Sequence, residues 1–228
     1  MRELSFIVAP IQAGRKLGTI LARDWEISKT LLARLKHRPG SVTVDGSPAR
    51  MTDRITEGAR VIVTIEEAGP ESTAAGPAVL PDLSGQILYE DRDLLILNKP
   101  AGIKTHPAYG GDYTDTVAGW AREYLSGSFH PVTRLDKGTS GAMLIAKNGY
   151  MHSLLQRRLH TETCQRFYLA VASGSLDSAG EWAVIDLPLR RETESARRVL
   201  AAETDTERIT AITYYKTLSS FKIGRAHV

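Results

Sequence analysis

The sequence predicts an α+β fold in two parts, in which a small α/β module precedes a larger domain with a mixed, largely antiparallel sheet. Runs typical of strands outnumber those typical of helices, and turns join many neighbouring strands, which favours antiparallel pairing. The stretch AGPESTAAGPAVLPDL contains three prolines and two glycines, a composition typical of a linker. We therefore expect domains at residues 1–67 and 84–228, joined by a linker at residues 68–83.

The small module is predicted to contain two helices among short strands. Leu17, Ile20 and Leu21 have the spacing of one helix face. Ser28 is a suitable N-cap for a second helix, whose apolar side would carry Leu31, Leu32 and Leu35. Strands are expected at residues 3–8, 42–44 and 61–65.

In the larger part, apolar runs predict strands at residues 86–89, 94–97, 142–146, 166–172 and 209–218. A helix is expected to begin at an N-cap supplied by Thr114 or Asp115. Its apolar face would consist of Val117, Trp120, Ala121, Tyr124 and Leu125. A further helical stripe consists of Met151, Leu154, Leu155 and Leu159.

Composition excludes several classes of protein. Hydrophobic residues make up 42% and charged residues 24% of the chain, unlike a disordered or collagen-like sequence. Cys164 is the only cysteine, which excludes an intramolecular disulfide and metal sites built on paired cysteines. No apolar stretch approaches the roughly 20 residues that cross a bilayer. We expect a cytoplasmic monomer that does not bind membranes, and the net charge of +3 favours a polyanionic partner.

The segment TRLDKGTSG at residues 133–141 is the most informative for chemistry. On an extended backbone Arg134 and Asp136 face one side and Leu135 the other. A positive charge beside a carboxyl group favours its ionised form, and an ionised aspartate is a candidate nucleophile or base. The alternative for these residues alone is a structural ion pair at a turn.

Three segments, in order, resemble motifs of the RluA-type pseudouridine synthases. TRLDKGTSG is similar to the family pattern H-R-L-D-x-x-T-S-G, with Thr133 in place of the more frequent histidine. NKPAGIKTHP at residues 98–107 resembles N-K-P-x-G-x-x-x-H-P, and CQRFYLAVASG at residues 164–174 resembles x-K-x-Y-x-A-x-V-x-G. The resemblance implies the pseudouridine synthase fold.

The resemblance also implies a reaction on RNA that uses no cofactor and no metal. Uridine becomes pseudouridine when its base is detached from C1′ of the ribose, rotated and rejoined through carbon. Asp136 would act as nucleophile or electrostatic partner during glycosidic cleavage. Tyr168 would stack on the uracil and move a proton at the sugar, whereas its plain alternative is a half-buried strand tyrosine. Arg134 would pair with Asp136 and help hold the target base outside its helix.

The small module resembles the alpha-L RNA-binding motif over residues 14–67, where GSVTVDGSP and EGARVIVTIEE match its two glycine-containing strand segments. Helix-borne cations would then contact RNA phosphates, which positions a protein without reading sequence. The candidates are Lys29, Arg34, Lys36 and Arg38. The alternative is a solvated basic helix face.

The sequence favours an RNA-modifying isomerase, and the alternative is a non-catalytic RNA-binding protein on the same scaffold. The presence of Asp136 and Tyr168 favours the enzyme. Large-subunit ribosomal RNA is the expected substrate, and transfer RNA is a possible one. Lys99 and His106 are interpreted as loop structure or as backbone-phosphate contacts.

The last seven residues, KIGRAHV at residues 222–228, have a second reading. They are also the translation of the common sequencing adapter AGATCGGAAGAGCACACGTCTGA, read with one preceding A and ending at its stop codon. Arg225 and His227 resemble part of the family pattern T-G-R-x-H-Q-I-R, but without the strand expected before it. We therefore expect a reading frame truncated near Lys222, an incomplete catalytic domain, and a poorly soluble, inactive chain. Resequencing the locus checks this, since a genomic stop codon after Val228 would contradict it.

Overall fold

The computed structural model describes residues 2–65, 80–107, 113–125, 129–159, 161–174, 176, 180–192 and 197–221. The chain forms two compact units, Met1–Arg166 and Phe167–Val228. Most of the predicted linker, and the seven residues of the adapter-like terminus, lie outside the described residues. Leu83, at the end of the predicted linker, is buried among the apolar residues of the second sheet of the first unit.

The first unit begins with a four-stranded antiparallel sheet and two helices. Its elements are β1 (Arg2–Ile7), α1 (Leu17–Arg23), α2 (Lys29–Lys36), β2 (Val42–Val44), β3 (Ser47–Pro48) and β4 (Arg60–Ile65). The strand order is β1-β4-β2-β3. Leu17, Ile20 and Leu21 are fully buried, as their helical spacing predicts. Ser28 caps α2, because its Oγ accepts a hydrogen bond of 3.2 Å from the amide of Leu31.

A second antiparallel sheet follows in the same unit, with its own core. Its elements are β5 (Ile87–Glu90), β6 (Leu94–Lys99), α3 (Val117–Tyr124), β7 (His130–Pro131), β8 (Gly141–Ala146) and α4 (Gly149–Arg158). The strand order is β5-β6-β8-β7. Leu95 and Leu97 of β6 and Met143 and Ile145 of β8 are fully buried in a cluster that includes Trp120 of α3.

Helix α3 begins at a residue that the sequence did not single out. Thr116 is the N-cap, and its Oγ1 accepts a hydrogen bond of 3.0 Å from the amide of Gly119. The prediction of Thr114 or Asp115 as the cap is wrong. Asp115 has a φ of 54°, in the left-handed region, so the chain reverses there before the helix begins. Thr116 is extended at φ −124°, the conformation of an N-cap residue.

The second unit contains β9 (Ala183–Asp186), β10 (Leu189–Arg191), β11 (Arg198–Leu200) and β12 (Ile212–Tyr215). In its described part, β9 pairs with β12 and β10 with β11, each as an antiparallel two-stranded ribbon. The predicted strand at residues 166–172 is wrong. These residues form no strand, and Phe167, Leu169 and Val171 are 75%, 88% and 82% exposed. These residues are of types that favour strands, but no described strand pairs with them, and a strand forms only where it has a hydrogen-bonded partner. The mixed, antiparallel α+β fold class is confirmed.

Candidate active site

An open groove of about 650 Å³ lies on the first unit, beside the second sheet. Its walls come from the loop after β6, the segment that connects β7 to β8, α4 and the segment that follows α4. The lining residues are Lys104, Thr105, His106, Pro131, Val132, Thr133, Arg134, Leu135, Asp136, Lys137, Gln156, Leu159 and Arg166. The groove therefore gathers the segment that the sequence singled out for chemistry.

Arg134 and Asp136 are exposed in this groove, whereas Leu135 between them is 8% exposed and packs into the core. This alternation agrees with the extended backbone that the sequence predicts. The leucine anchors the segment, and the two charged side chains are left in contact with solvent. The carboxylate of Asp136 is thus presented by a backbone whose neighbouring residue is held in the core.

The backbone of this segment is fixed by the loop after β6. Thr105 is buried, and its Oγ1 donates to the carbonyl of Leu135 at 2.7 Å. The amide of Leu135 donates back to the same oxygen at 3.4 Å. Gly102, at φ 91°, donates its amide to the carbonyl of Lys137 at 2.7 Å. A φ in this region favours glycine, so the residue type lets the chain adopt the turn in which this hydrogen bond forms.

Lys99, at the end of β6, is fully buried beneath this loop. Its ammonium donates to the carbonyls of Pro100 at 2.9 Å and of Ile103 at 2.8 Å. Burial lowers the pKa of Lys99, and the negative charge of Asp136 opposes that shift. Of the two interpretations of Lys99, these contacts support loop structure, and they also make it an electrostatic neighbour of Asp136.

The sequence contained a signal for this role of Lys99. Leu95, Leu97 and Lys99 alternate along β6, so the lysine lies on the face that carries the two buried leucines. A lysine that continues a buried strand face must have its ammonium satisfied inside the protein. The carbonyls of the adjoining loop provide those partners.

Cationic side chains dominate the charge of the groove. Lys104, Arg134, Lys137 and Arg166 line it with Asp136 as the acidic member. His106 contacts the ring of Phe129 edge-on, with centroids 5.2 Å apart. Its pKa is lowered, first by burial and then by the charges of Arg134 and Arg122. A groove of this charge suits a polyanionic ligand.

The expected pairing of Arg134 with Asp136 is not formed in this structure. Among the described residues, the ion pairs join other partners. Both side chains are exposed to water, where an ion pair gains little and must order two side chains. Arg134 is therefore free to reach a ligand without first breaking a bond to the carboxylate.

The remaining predicted site residues lie in two other places. Lys29, Arg34 and Lys36 are exposed on α2, to either side of the buried Leu35, and Arg38 is exposed just beyond the helix. Tyr168 belongs to the second unit and is 62% exposed, so its alternative as a half-buried strand tyrosine does not describe this structure.

The described residues contain no group of three or more histidine, cysteine, aspartate or glutamate side chains placed to hold a metal ion. In the same part of the chain, every helix is too short or too polar to cross a membrane.

Comparison with known proteins identifies the family. The family model described as RNA pseudouridylate synthase matches residues 93–228, more than half of the chain. The chain belongs to the RNA pseudouridylate synthase family. The matched residues include the groove segment around Asp136.

Two relatives in sequence agree with this assignment. The chain is 32% identical over 222 residues to the ribosomal large subunit pseudouridine synthase D of Pseudomonas aeruginosa, covering 94% of this chain and 64% of that protein. It is 30% identical to an uncharacterized RNA pseudouridine synthase of Bacillus subtilis, covering 97% and 72%. The chain thus spans somewhat less than two thirds of the length of the Pseudomonas relative. The human RNA pseudouridylate synthase domain containing 4 superposes with a TM-score of 0.42 at 22% identity, over 61% of this chain and 56% of that one.

Proposed function

We propose that this protein is an RluA-type pseudouridine synthase that isomerises uridine in large-subunit ribosomal RNA. The observation that carries the proposal is the exposed carboxylate of Asp136, held on a fixed backbone in a groove lined by cations. The choice of ribosomal RNA is supported by the name of the Pseudomonas aeruginosa relative, ribosomal large subunit pseudouridine synthase D. Transfer RNA is the alternative substrate that the test must include.

The reaction is an isomerisation, so every atom of the uridine is kept. The bond from N1 of the base to C1′ breaks, and a bond from C5 of the base to C1′ forms. The proton on C5 leaves, and N1 ends with a proton. Asp136 acts at the reacting centre, either as nucleophile or as electrostatic partner of the charge that develops at C1′. No cofactor or metal takes part in this proposal.

Arg134 and Tyr168 have supporting roles in the proposed reaction. The target base must leave its stack, because its glycosidic bond is inaccessible inside a helix, and extrusion costs a few kcal/mol. Arg134 is exposed in the groove beside Asp136 and can occupy the place that the base vacates or bind its phosphate. Tyr168 would stack on the extruded uracil and move a proton at the sugar.

The N-terminal part is proposed to be an alpha-L RNA-binding domain at residues 1–67. Lys29, Arg34, Lys36 and Arg38 would neutralise RNA phosphates and bring the substrate to the groove. Exposure of three of these cations on one helix supports this role. We further propose that the protein acts as a monomer in the cytoplasm, where ribosomal RNA is modified.

The decisive experiment uses the protein expressed from the resequenced locus and replaces Asp136 with asparagine, which keeps the side-chain shape and removes its charge. RNA with uridine tritiated at C5 releases tritium to water when the base is rejoined through C5. We expect Asp136→Asn to abolish tritium release while RNA affinity stays within about twofold, since the groove keeps its cations. Asp115→Asn, an exposed aspartate of the same unit that does not line the groove, is the control and should keep full activity.

Two results would contradict the proposal. Tritium release by Asp136→Asn at more than a few per cent of the parent rate would remove the aspartate from the chemistry. RNA binding by the protein from the resequenced locus without any tritium release, from ribosomal and transfer RNA alike, would favour the non-catalytic RNA-binding protein.

A further inference from the structure

Helix α4 is joined to the N-terminal module at its first turn. Asn148 caps the helix, because its Oδ1 accepts a hydrogen bond of 2.8 Å from the amide of Met151. Its Nδ2 donates to Oδ1 of Asp93 at 2.9 Å. Asp93 in turn forms an ion pair with Arg2 of β1. The start of α4 is therefore linked through one carboxylate to the first strand of the module.

The middle of the same contact is apolar and hydrogen bonded. The ring of Tyr150 packs against the core of the N-terminal module, and its hydroxyl donates to the carbonyl of Trp25 at 3.2 Å. Trp25 itself stacks on Phe6 of β1, with ring centroids 3.9 Å apart. The pKa of Tyr150 is raised, first by burial and then by the charge of Glu26, so the hydroxyl keeps the proton that it donates.

The last turn of α4 contacts Glu26, the residue that follows Trp25 in the N-terminal module. Arg157 donates to the backbone carbonyl of Glu26, and Arg158 forms an ion pair of 3.1 Å with its carboxylate. Glu26 has a φ of 53°, a left-handed conformation that is unfavourable for a residue with a side chain. The contacts from two arginines help to offset that cost and fix the chain between α1 and α2.

The other side of α4 belongs to the groove. Gln156 and Leu159 line it, and the Nε2 of Gln156 donates to the carbonyl of Val132 at 2.8 Å. Val132 lies two residues before Arg134 in the segment that presents Asp136. One helix therefore contacts the loop before α2 with its arginines and the reactive segment with its glutamine.

We propose that α4 fixes the N-terminal module against the second sheet, with Glu26 as the positioning residue, so that the exposed cations of α2 (Lys29, Arg34 and Lys36) and the groove bind one RNA molecule together. The inference rests on the proposed RNA-binding function of the module. Two binding surfaces in a fixed relation bind one RNA more tightly, because the second contact costs little additional translational and rotational entropy once the first has formed. A module joined only by a linker would lose much of that gain.

The first test measures the distance between module and sheet without RNA. Spin labels are placed at Ala33→Cys on α2 and Leu88→Cys on β5, both exposed, in a Cys164→Ser background. Pulsed electron resonance should give one narrow distance distribution for the parent. Glu26→Arg opposes Arg158 with a like charge and should broaden it, as should Arg158→Glu at a more exposed position. The exchange of both charges, Glu26→Arg with Arg158→Glu, should restore the narrow distribution.

The second test measures affinity for a long folded fragment of ribosomal RNA and for a short uridine-containing single strand. We expect Glu26→Arg to bind the long RNA about tenfold more weakly than the control, and the short strand equally well. The control is Glu57→Arg, which makes the same charge change at an exposed turn of the same module. The doubly exchanged variant should recover the affinity for the long RNA.

The outcomes separate this inference from the proposed function. A broad distance distribution in the parent, or a narrow one that Glu26→Arg leaves unchanged, would overturn the fixed module. Equal affinities of Glu26→Arg and Glu57→Arg for the long RNA would overturn the joint binding. Narrow distances that respond to charge, in a parent that binds neither RNA, would instead contradict the proposed function and leave the fixed module standing.

Discussion

One hydroxyl group joins Thr105 to Leu135 in both directions. Its oxygen donates a proton to the leucine carbonyl at 2.7 Å and accepts from the leucine amide at 3.4 Å. The residues are thirty positions apart in the chain, and Leu135 directly precedes Asp136. The position of the proposed reactive carboxylate therefore depends on a buried threonine in a neighbouring loop.

Thr105→Val keeps the shape of that side chain and removes the hydroxyl. The buried carbonyl of Leu135 then loses its partner, and we expect the protein to lose about 1–3 kcal/mol of unfolding free energy. Tritium release should fall more than RNA affinity, because the backbone around Asp136 is no longer held. Urea unfolding and tritium release measure the two effects. Thr105→Ser keeps the hydroxyl and should retain most of both properties, and equal activities of Val and Ser variants would contradict the argument.

Lys99→Met tests the buried ammonium under the same loop. The substitution leaves the carbonyls of Pro100 and Ile103 without their donor, and we expect a less stable protein. The pKa of Lys99 is lowered in the folded state, so the unfolded chain binds more protons as the pH approaches 10.5. The difference in unfolding free energy between the parent and Lys99→Met should therefore rise with pH in the window below 10.5. Urea titrations at several pH values measure it, and a difference that falls with pH would contradict the lowered pKa.

His106 provides a direct measurement of the charge in the groove. Burial, Arg134 and Arg122 all lower its pKa below 6.5. We expect Arg134→Gln to raise the pKa of His106, as followed by nuclear magnetic resonance of its ring proton. Lys16→Gln, which removes an exposed cation of the N-terminal module, should leave it unchanged. If the pKa of His106 were the same in Arg134→Gln as in the parent, the charge of Arg134 would not act on His106 in the groove.

The same histidine predicts how stability depends on pH. Between its lowered folded pKa and 6.5 the unfolded chain binds more protons, so the unfolding free energy rises with pH in that window. Acidification through the window should destabilise the parent more than His106→Asn, which has no proton to bind. Parallel pH profiles of the two proteins would exclude His106 as the cause.

The exposed cations of α2 predict that RNA affinity depends on salt concentration. Each phosphate contact contributes about 0.7–0.9 to the slope of log affinity against log salt concentration. Replacing Arg34 and Lys36 with glutamine should reduce that slope by roughly 1.5 for RNA if both bind phosphates. Arg50→Gln with Arg60→Gln removes two exposed cations elsewhere in the module and should change it less. Equal slopes in the two double variants would show that the cations of α2 do not contact RNA phosphates more than other cations of the module.

The elements with a clear period were predictable from sequence, and the exceptions have physical causes. The buried face of α1, the Ser28 cap and the alternation of Arg134, Leu135 and Asp136 follow from local patterns that the structure retains. The cap of α3 was misplaced because the left-handed turn at Asp115 cannot be seen in residue types that all favour caps.

Other features depend on contacts between distant residues. The segment at residues 166–172 has strand-forming side chains, but a strand also needs a partner, which composition does not reveal. The hydrogen bonds of Thr105 and the contacts of Glu26 with α4 join residues that are far apart in sequence. The sequence motif identifies Asp136 as the candidate reactive residue, whereas the groups that position it are identified only by their contacts in the folded structure.

The two-stranded ribbons of the second unit imply a division of the chain by local stability. Strand β6 is bonded on both sides by β5 and β8, whereas β9 and β12 have only each other in the described structure. A two-stranded ribbon is marginally stable in water, so its amide protons exchange with solvent through local opening. The amides of Val184 and Ile185 should therefore exchange with deuterium much sooner than those of Leu95 and Leu97. The unit that carries Tyr168 would then be the first part of the molecule to open, well before the groove loses its shape.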